Sequence, residues 1–379
     1  MARLFIATGI FYPEPGGPAT YLHELLPILH ERGWDIQALT FADKLQDTGE
    51  PFPVTRVNRK QSIPKRWWEY AQHSRSLLKW ADLTYIHTLG LPLMGGHKTP
   101  RVAKVVGDVA WERAVRKGWI PPTEDIDVFQ TQAGYKLQVK LNQFTQAREA
   151  KTMQGIIVPS RYLKRIVVGW GVPEQQVHVI YNALPPDMVA PSLSQEEARQ
   201  QLGWGDAPTL LTVGRILPWK GVDHLIQAIS RLPHIHLKIA GDGADIDALK
   251  QMAVDLHVSE RVQFLGRISR EQMPILMKAT DYLALYSGYE GLSHTLLEGL
   301  RVGTPLIASD KGGNPEVVQH EKNGLLVPYV NVDALTETIK QAFGAGKRAE
   351  YAQNTHVGLE RFDFHRMINH TETLLKTFV

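Results

Sequence analysis

The sequence predicts an α/β protein built of two doubly wound domains, and three observations predict it. Short apolar runs of strand length alternate with helical patterns in both halves of the 379-residue chain. A stretch at 183–195, carrying Pro185, Pro186 and Pro191, separates the two alternating series as an interdomain linker. The length itself favours two domains, each large enough for its own core. Two such domains are expected to face one another across a cleft.

Composition narrows the class. With 43% hydrophobic and 21% charged residues the chain is an ordinary globular protein, so disorder and fibrous repeats are excluded. No apolar run approaches the roughly 18–20 residues of a membrane span. The start, Met1 to Gly9, has too short an apolar core for a secretion signal and runs straight into structured pattern. Without cysteine there are no disulfides, thiolate metal sites or thiol nucleophiles, and a cytoplasmic enzyme is expected. The charge is uneven. Residues 1–185 carry 23 Lys and Arg against 16 Asp and Glu, whereas the remainder carries 19 against 23. The basic half suits an anionic acceptor or a membrane surface, or is simply a solvated face.

Residues 3–8 form a buried strand, followed by a loop from Phe11 to Pro18 and a helix from about Ala19 to Arg32 with Leu22, Leu25, Leu26 and Leu29 on one face. Strand, loop and helix open a Rossmann-like unit. The G-x-G-x-x-G of dinucleotide binders is absent, which argues against NAD or FAD. The pair Gly16-Gly17 lets the backbone approach a ligand closely, unless it is a plain turn.

Strands are expected near 35–40 and 83–87, with a basic patch between them that includes Arg56, Arg59, Lys65, Arg66, Trp67 and Trp68. The tryptophans suit a membrane interface or a saccharide, or else anchor a helix to the sheet. The strand at 101–107 ends at Asp108. Ligands of open α/β sheets sit outside the carboxyl ends of strands, so Asp108 is placed to touch a substrate hydroxyl, to accept a proton, or to cap the next helix. A polar segment, 112–154, follows. Gly155–Pro159 then leads into a helix capped by Ser160, and 177–183 is another strand. In the second series strands fall near 209–213, 236–240, 262–265, 282–286, 305–308 and 325–327. The tail from about Phe362 to Val379 is helical.

The chemistry gathers in this second half. The strand Tyr282–Tyr286 runs into the loop Ser287-Gly288-Tyr289-Glu290-Gly291 and then into a helix bearing Leu296, Leu297 and Leu300. First-turn NH groups and the helix dipole make its N-terminus a phosphate seat. Glu290 stands at its lip and Glu298 about two turns in. A carboxylate beside a phosphate is unfavourable unless it binds something else, such as sugar hydroxyls. The earlier strand 210–213 leads into Gly214-Arg215 and Lys220-Gly221, two cations for a diphosphate clamp, or else members of surface salt bridges.

Glu290 and Glu298, separated by seven residues, together with Gly303-Thr304-Pro305-Leu306-Ile307-Ala308-Ser309-Asp310, Gly312-Gly313-Asn314-Pro315-Glu316 and the Gly214–Gly221 string, resemble the retaining glycosyltransferases of family 4, which have the GT-B fold. The likeness runs over nearly the whole chain. It implies domains at 1–185 on the acceptor side and 186–361 on the nucleotide-sugar side, with the helix 362–379 crossing back to the first. It implies that Glu290 contacts the donor sugar, that Glu298 holds the nucleotide ribose, and that Arg215 and Lys220 clamp the diphosphate. It further places Gly16 and Gly17, Gly241 of the Gly241-Asp242-Gly243 turn, and Arg267 near the donor. In the same way it gives Gly291, Leu292, Ser293, His294 and Thr295 as the phosphate-facing turn, with Glu316 on the sugar or ordering the clamp. Two departures stand out. Gly291-Leu292-Ser293-His294 replaces the usual Gly-Phe-Gly, though any residue supplies a backbone NH. Asp108 stands where many relatives have histidine. The implied reaction moves a sugar from a nucleotide diphosphate sugar to an acceptor hydroxyl of a glycolipid, polysaccharide or other glycoconjugate. No cofactor or metal is expected, because Arg, Lys and the helix dipole supply the charge, and no nucleic acid partner is expected. The competing readings are a nucleotide-sugar epimerase of the same fold, a non-catalytic nucleotide-sugar-binding subunit, and a phosphorylase, for whose pyridoxal lysine no signature appears.

Overall fold

The computed structural model describes every residue except Pro15, Asp47, Gly96, His97, Pro186, Asp187 and Ala345. Part of the Gly16 loop and Pro186 of the linker therefore lie outside the described residues. The chain forms two compact units. One comprises Met1–Ala114, Gln130–Ile180 and His365–Val379; the other comprises Val115–Phe129 and Tyr181–Phe364.

The first unit is built on a seven-stranded parallel sheet: β1 (Arg3–Ala7), β2 (Asp35–Ala42), β3 (Val54–Asn58), β4 (Leu83–Ile86), β5 (Arg101–Lys104), β6 (Gly155–Val158) and β7 (Val177–Val179), in the order β3-β2-β1-β4-β5-β6-β7. Strands buried on both faces read as unbroken apolar runs, as Leu4-Phe5-Ile6-Ala7 does, and all four of these side chains are 0% exposed. The helix Gly17–Glu31 buries Leu22, Leu25, Leu26 and Leu29.

The second unit carries a six-stranded parallel sheet: β8 (Thr209–Val213), β9 (His236–Ala240), β10 (Val262–Gly266), β11 (Tyr282–Leu285), β12 (Leu306–Ser309) and β13 (Gly324–Val327), in the order β10-β9-β8-β11-β12-β13. Alternation along β11 divides its core. Tyr282 and Ala284 pack with Leu225, Ile226, Leu335 and Ile339, while Leu283 and Leu285 pack on the other face with Leu296, Leu297 and Leu300. In both sheets strand order reverses direction, between β1 and β4 and between β8 and β11. Each reversal leaves a crevice at the carboxyl ends where adjacent loops part to opposite faces.

Several expectations shift. The strand β3 is absent from the sequence reading, because it is a sheet-edge strand with only Val57 buried and Arg56 at its middle. Residues 115–129, counted with the first half by a contiguous division, pack with the second unit, where Asp125 pairs with Lys311 at 2.6 Å. Trp67 and Trp68, on the helix Ile63–Trp80, are 47% and 63% exposed, so they do not anchor that helix to its sheet. The helix Phe364–Lys376 packs on the first unit: Glu372 pairs with Arg32 at 2.7 Å, and the Thr371 and Tyr21 hydroxyls lie 3.3 Å apart. Among the described residues no helix is long and apolar enough to cross a membrane.

Candidate active site

The crevice between β8 and β11 gathers most of the residues singled out in the sequence. The β8 strand ends in a loop that doubles back through a short 3-10 turn, Pro218–Lys220, and leaves through Gly221 at φ 64°. A Cβ at Gly221 would strike the Tyr286 carbonyl, so the clamp loop and the β11 loop touch backbone to backbone. The same closeness holds on the other side. Gly241 has φ 145°, and a Cβ there would strike the Gly214 carbonyl oxygen; Gly214 N donates to the Ala240 carbonyl at 3.0 Å and Ile216 N to that of Asp242 at 2.9 Å.

After β11 the chain crosses Ser287–Gly291 and enters the helix His294–Val302. Its N-cap is Ser293, whose hydroxyl accepts from Leu296 N at 3.3 Å. Glu298 therefore lies about one turn into the helix, not two, because the loop consumes Leu292 and Ser293 before the first helical residue. Beneath this loop sits Gly312-Gly313. Gly313 N donates to the Glu290 carbonyl at 2.8 Å, and side chains at Gly312 or Gly313 would collide with the Glu290 and Gly291 backbone. Glycine is required here by approach, and the glycine pair holds the Glu290 loop in place.

Two of the expected clamp residues meet directly. Lys220 Nζ lies 2.5 Å from Glu290 Oε1, with the side chains 19% and 14% exposed. Arg215 is exposed and has no hydrogen-bond or ion-pair partner among the described residues, so its guanidinium is open to a ligand anion. Glu298 is mostly buried; burial pushes its carboxyl up to about 7, only partly offset by Arg270. Glu316, in the 3-10 turn Asn314–Glu316, accepts from the Tyr181 hydroxyl at 3.0 Å. Arg267 is exposed and pairs with Asp242 at 2.8 Å. Gly291, Leu292 and Ser293 are buried, while His294 and Thr295 are partly exposed at the helix start.

Gly16, Gly17 and Asp108 belong to the first unit. Gly16 is the N-cap of the helix Gly17–Glu31. Asp108, 1% exposed, accepts from Trp111 N at 2.9 Å and from the side chains of Gln146 at 3.0 Å and Gln130 at 2.7 Å. Burial raises its carboxyl above the usual range despite these donors. It caps the helix Val109–Arg116 and anchors two glutamines.

Sequence reasoning missed Tyr181, Gln130 and Gln146, whose partners lie far along the chain or whose residue type carries no signal. It also missed Lys104, although a charge inside the apolar run 102–106 was a visible signal. Lys104 is 3% exposed, lies 3.6 Å from the Tyr21 ring centroid, and is lowered by burial to about 7. Beside it His87 is also buried and lowered, by burial first and by Lys104 second.

The family model of Glycosyltransferase Family 4 matches residues 15–188, and that of Glycosyl transferases group 1 matches residues 194–356. An uncharacterised glycosyltransferase of Methanocaldococcus jannaschii is 33% identical over 207 residues, covering 52% of this chain and 53% of that protein. A GDP-mannose-dependent alpha-(1-6)-phosphatidylinositol monomannoside mannosyltransferase of Mycolicibacterium smegmatis is 34% identical over 182 residues, covering 44% and 48%. The chain thus spans about half the length of the curated relatives it matches. Among solved structures, HepE of Anabaena, determined with UDP and glucose, superposes with a TM-score of 0.79 over 100% of both chains at 21% identity. Sucrose-phosphate synthase of Thermosynechococcus elongatus gives 0.79 over 100% and 99% at 19% identity. At these identities the likeness is one of fold, GT-B. Since the two family models between them take in residues 15–188 and 194–356, the chain belongs to the family 4, group 1 glycosyltransferases.

Proposed function

We propose that this protein transfers a sugar from a nucleoside diphosphate sugar to an acceptor hydroxyl on a glycoconjugate, with retention at the anomeric carbon. The observation that carries the reading is the Lys220–Glu290 pair, set in the β8/β11 crevice with Glu290 in the loop that leads into the helix N-terminus at His294. A cation, an open Arg215 and the first-turn NH groups of His294–Val302 are what a departing diphosphate needs. The relatives add weight: one is named as GDP-mannose-dependent, and HepE was solved with UDP and glucose.

In this scheme the bond from the anomeric carbon to the diphosphate oxygen breaks, and the bond electrons go to the leaving diphosphate. The acceptor oxygen bonds to that carbon from the same face, and its proton passes to a leaving-phosphate oxygen. Lys220 and Arg215 stabilise the added negative charge, so no bound metal is invoked for it. Glu290, beside Lys220, accepts hydrogen bonds from the sugar hydroxyls, and Glu298 accepts from the ribose. The exposed pair Trp67 and Trp68, beside Lys65, gives the helix Ile63–Trp80 a surface for anionic lipid at the cytoplasmic face.

A thermal-shift and turnover screen with UDP-, GDP- and ADP-sugars, on wild type and Glu298→Ala, tests the reading. One nucleotide series is expected to raise Tm, with the rise lost in the variant, and its nucleoside diphosphate to be released slowly by hydrolysis. Donor binding without release under any acceptor would favour a binding subunit, and a sugar released as its epimer would favour an epimerase. No shift with any donor would sink the transferase. Sedimentation with phosphatidylglycerol vesicles, lost in a Trp67→Ala, Trp68→Ala double variant, tests the lipid contact separately.

A further inference from the structure

The loop that carries Glu290 is set from behind by a chain of buried side chains that the transfer scheme above does not use. Backbone pairing between β11 and β12 ends at Leu285 and Ala308. The Ser287 carbonyl lies past the end of that ladder, and the hydroxyl of Ser309, the last residue of β12, donates to it. The Ser309 oxygen in turn accepts from the Asn314 side-chain amide at 3.0 Å. Ser287, Ser309 and Asn314 are all 0% exposed. The direction is fixed, because the serine hydroxyl has one proton and spends it on the carbonyl, so that toward Asn314 it can only accept.

Asn314 is itself held. Its N–H donates to the Lys311 carbonyl at 3.3 Å, and its carbonyl accepts from Val317 N at 3.0 Å and Val318 N at 2.9 Å. It follows Gly313, whose N–H donates to the Glu290 carbonyl, and it opens the turn that ends at Glu316. On the other side Gly288 N donates at 2.8 Å to the carbonyl of Trp219, the residue before Lys220. The segment Ser287–Glu290 is thus tied at the Ser287 carbonyl, the Gly288 N–H and the Glu290 carbonyl.

Packing alone does not explain the chain. Asn314 Oδ1 and Ser287 Oγ are buried and find no partner among the described residues. Apolar side chains of the same size would fill these places without unmet polar atoms. What the polar ones add is a directional restraint on the loop.

We propose that Ser309 and Asn314 are positioning residues for the transfer: they hold the loop Ser287–Glu290 so that the Glu290 carboxylate faces the sugar as its bond to the diphosphate breaks. They act through Glu290, and so the inference rests on the transferase reading. Their effect falls on turnover and little on donor binding, since a restraint of the loop matters most where charge develops.

Nucleoside diphosphate release from UDP-glucose, GDP-mannose and ADP-glucose tests it, with donor affinity measured by calorimetry on the same samples. The proteins are wild type, Ser309→Ala, Asn314→Ala, Glu290→Gln, and each alanine variant combined with Glu290→Gln. Melting curves set an assay temperature at which all are folded, and the Asn314 series decides if Ser309→Ala does not fold. Each alanine variant is expected to lower kcat about tenfold, with donor affinity within about threefold of wild type. In the Glu290→Gln background the same change is expected to cost less than about twofold more, because the carboxylate that it positions is gone. A purely structural loss would lower kcat by the same factor in both backgrounds. That result, or a loss confined to donor affinity, overturns the inference. Wild-type protein that neither binds nor turns over any of the three donors would sink the transferase reading and the inference with it. Wild-type turnover that both alanine variants leave intact would sink the inference alone.

Discussion

Lys220 and Glu290 are 70 positions apart in the chain and 2.5 Å apart at Nζ and Oε1. A pair so placed has two jobs that separate on mutation. As a largely buried ion pair whose desolvation offsets most of its attraction, it stabilises the fold only modestly, on the order of 1 kcal/mol. In the proposed anion site it faces a charge that grows as the leaving group departs. Glu290→Gln is therefore expected to lower kcat about 10²–10³-fold while Tm moves by only a few degrees. Steady-state kinetics beside a melting curve checks this, and a large Tm loss with unchanged kcat would contradict it.

Glu298 works through burial. Its carboxyl is raised to about 7 against an ordinary value of 4.5. A raised carboxyl stabilises the fold below pH 4.5, and that contribution is lost as pH rises through about 7. Donor binding wants the opposite, an ionised acceptor for hydroxyl protons. Affinity for the donor is expected to rise between pH 6 and 8 in wild type and to be flat in Glu298→Gln, measured by calorimetry. At this scale the sequence was partly legible. The residue types and spacing of Glu290, Glu298, Arg215 and Lys220 point to the candidate site, but spacing along a chain carries no burial. The surroundings of these carboxyls, burial beside Arg270 for Glu298 and the Tyr181 hydroxyl for Glu316, come from other strands and loops.

At the scale of elements, the site is a stack of loops whose backbones touch. Gly241 against Gly214, Gly221 against Tyr286 and Gly312-Gly313 against Glu290-Gly291 each leave no room for a side chain. Gly241→Ala combines a backbone collision with φ 145°, a region that L residues rarely enter. It is expected to cost about 1–3 kcal/mol and to displace the Arg215 loop, so that donor affinity falls together with Tm. Urea unfolding and a donor titration on the same variant check both halves. The strands of the second sheet were legible to within a residue, because strands covered on both faces appear as short apolar runs bounded by glycine, as Leu210–Val213 before Gly214 does, whereas the expected strands 101–107 and 177–183 run three and four residues beyond Arg101–Lys104 and Val177–Val179. The edge strand Val54–Asn58 was not, since an uncovered edge needs no apolar run and this one carries Arg56. The start of the helix at His294 was misjudged for a related reason. Leu292 is apolar and buried, yet it belongs to the loop that Ser293 terminates.

For the whole molecule, chain order and compactness part company. The first unit is closed by its last segment, His365–Val379, and the second takes in Val115–Phe129 from the other half. Neither exchange was visible as a change in composition, because both depend on long-range pairs such as Lys311–Asp125 and Arg32–Glu372. Glu372 is where the closure concentrates. Its side chain, 9% exposed, pairs with Arg32 at 2.7 Å and with Lys376 at 2.7 Å, and it accepts from the Trp34 indole at 3.4 Å. Burial opposes its ionisation, but the hydrogen bonds from Lys376, Arg32 and Trp34 outweigh it and hold the carboxyl below the usual range. A depressed carboxyl stabilises above its unfolded pKa of 4.5, and the contribution disappears as pH falls through the lower folded value. Glu372→Gln is expected to lower the Tm of the first unit by a few degrees at pH 7 and to flatten the loss of stability below pH 4.5. The proposed donor site is built from the second unit, so donor binding at 25 °C is expected to stay at the wild-type level. Calorimetric melts at pH 7 and pH 4, with a donor titration alongside, decide the matter. A variant that melts as wild type does at both pH values would mean that the last helix is held by its apolar face, Ile368 and Leu375, and not by this carboxylate.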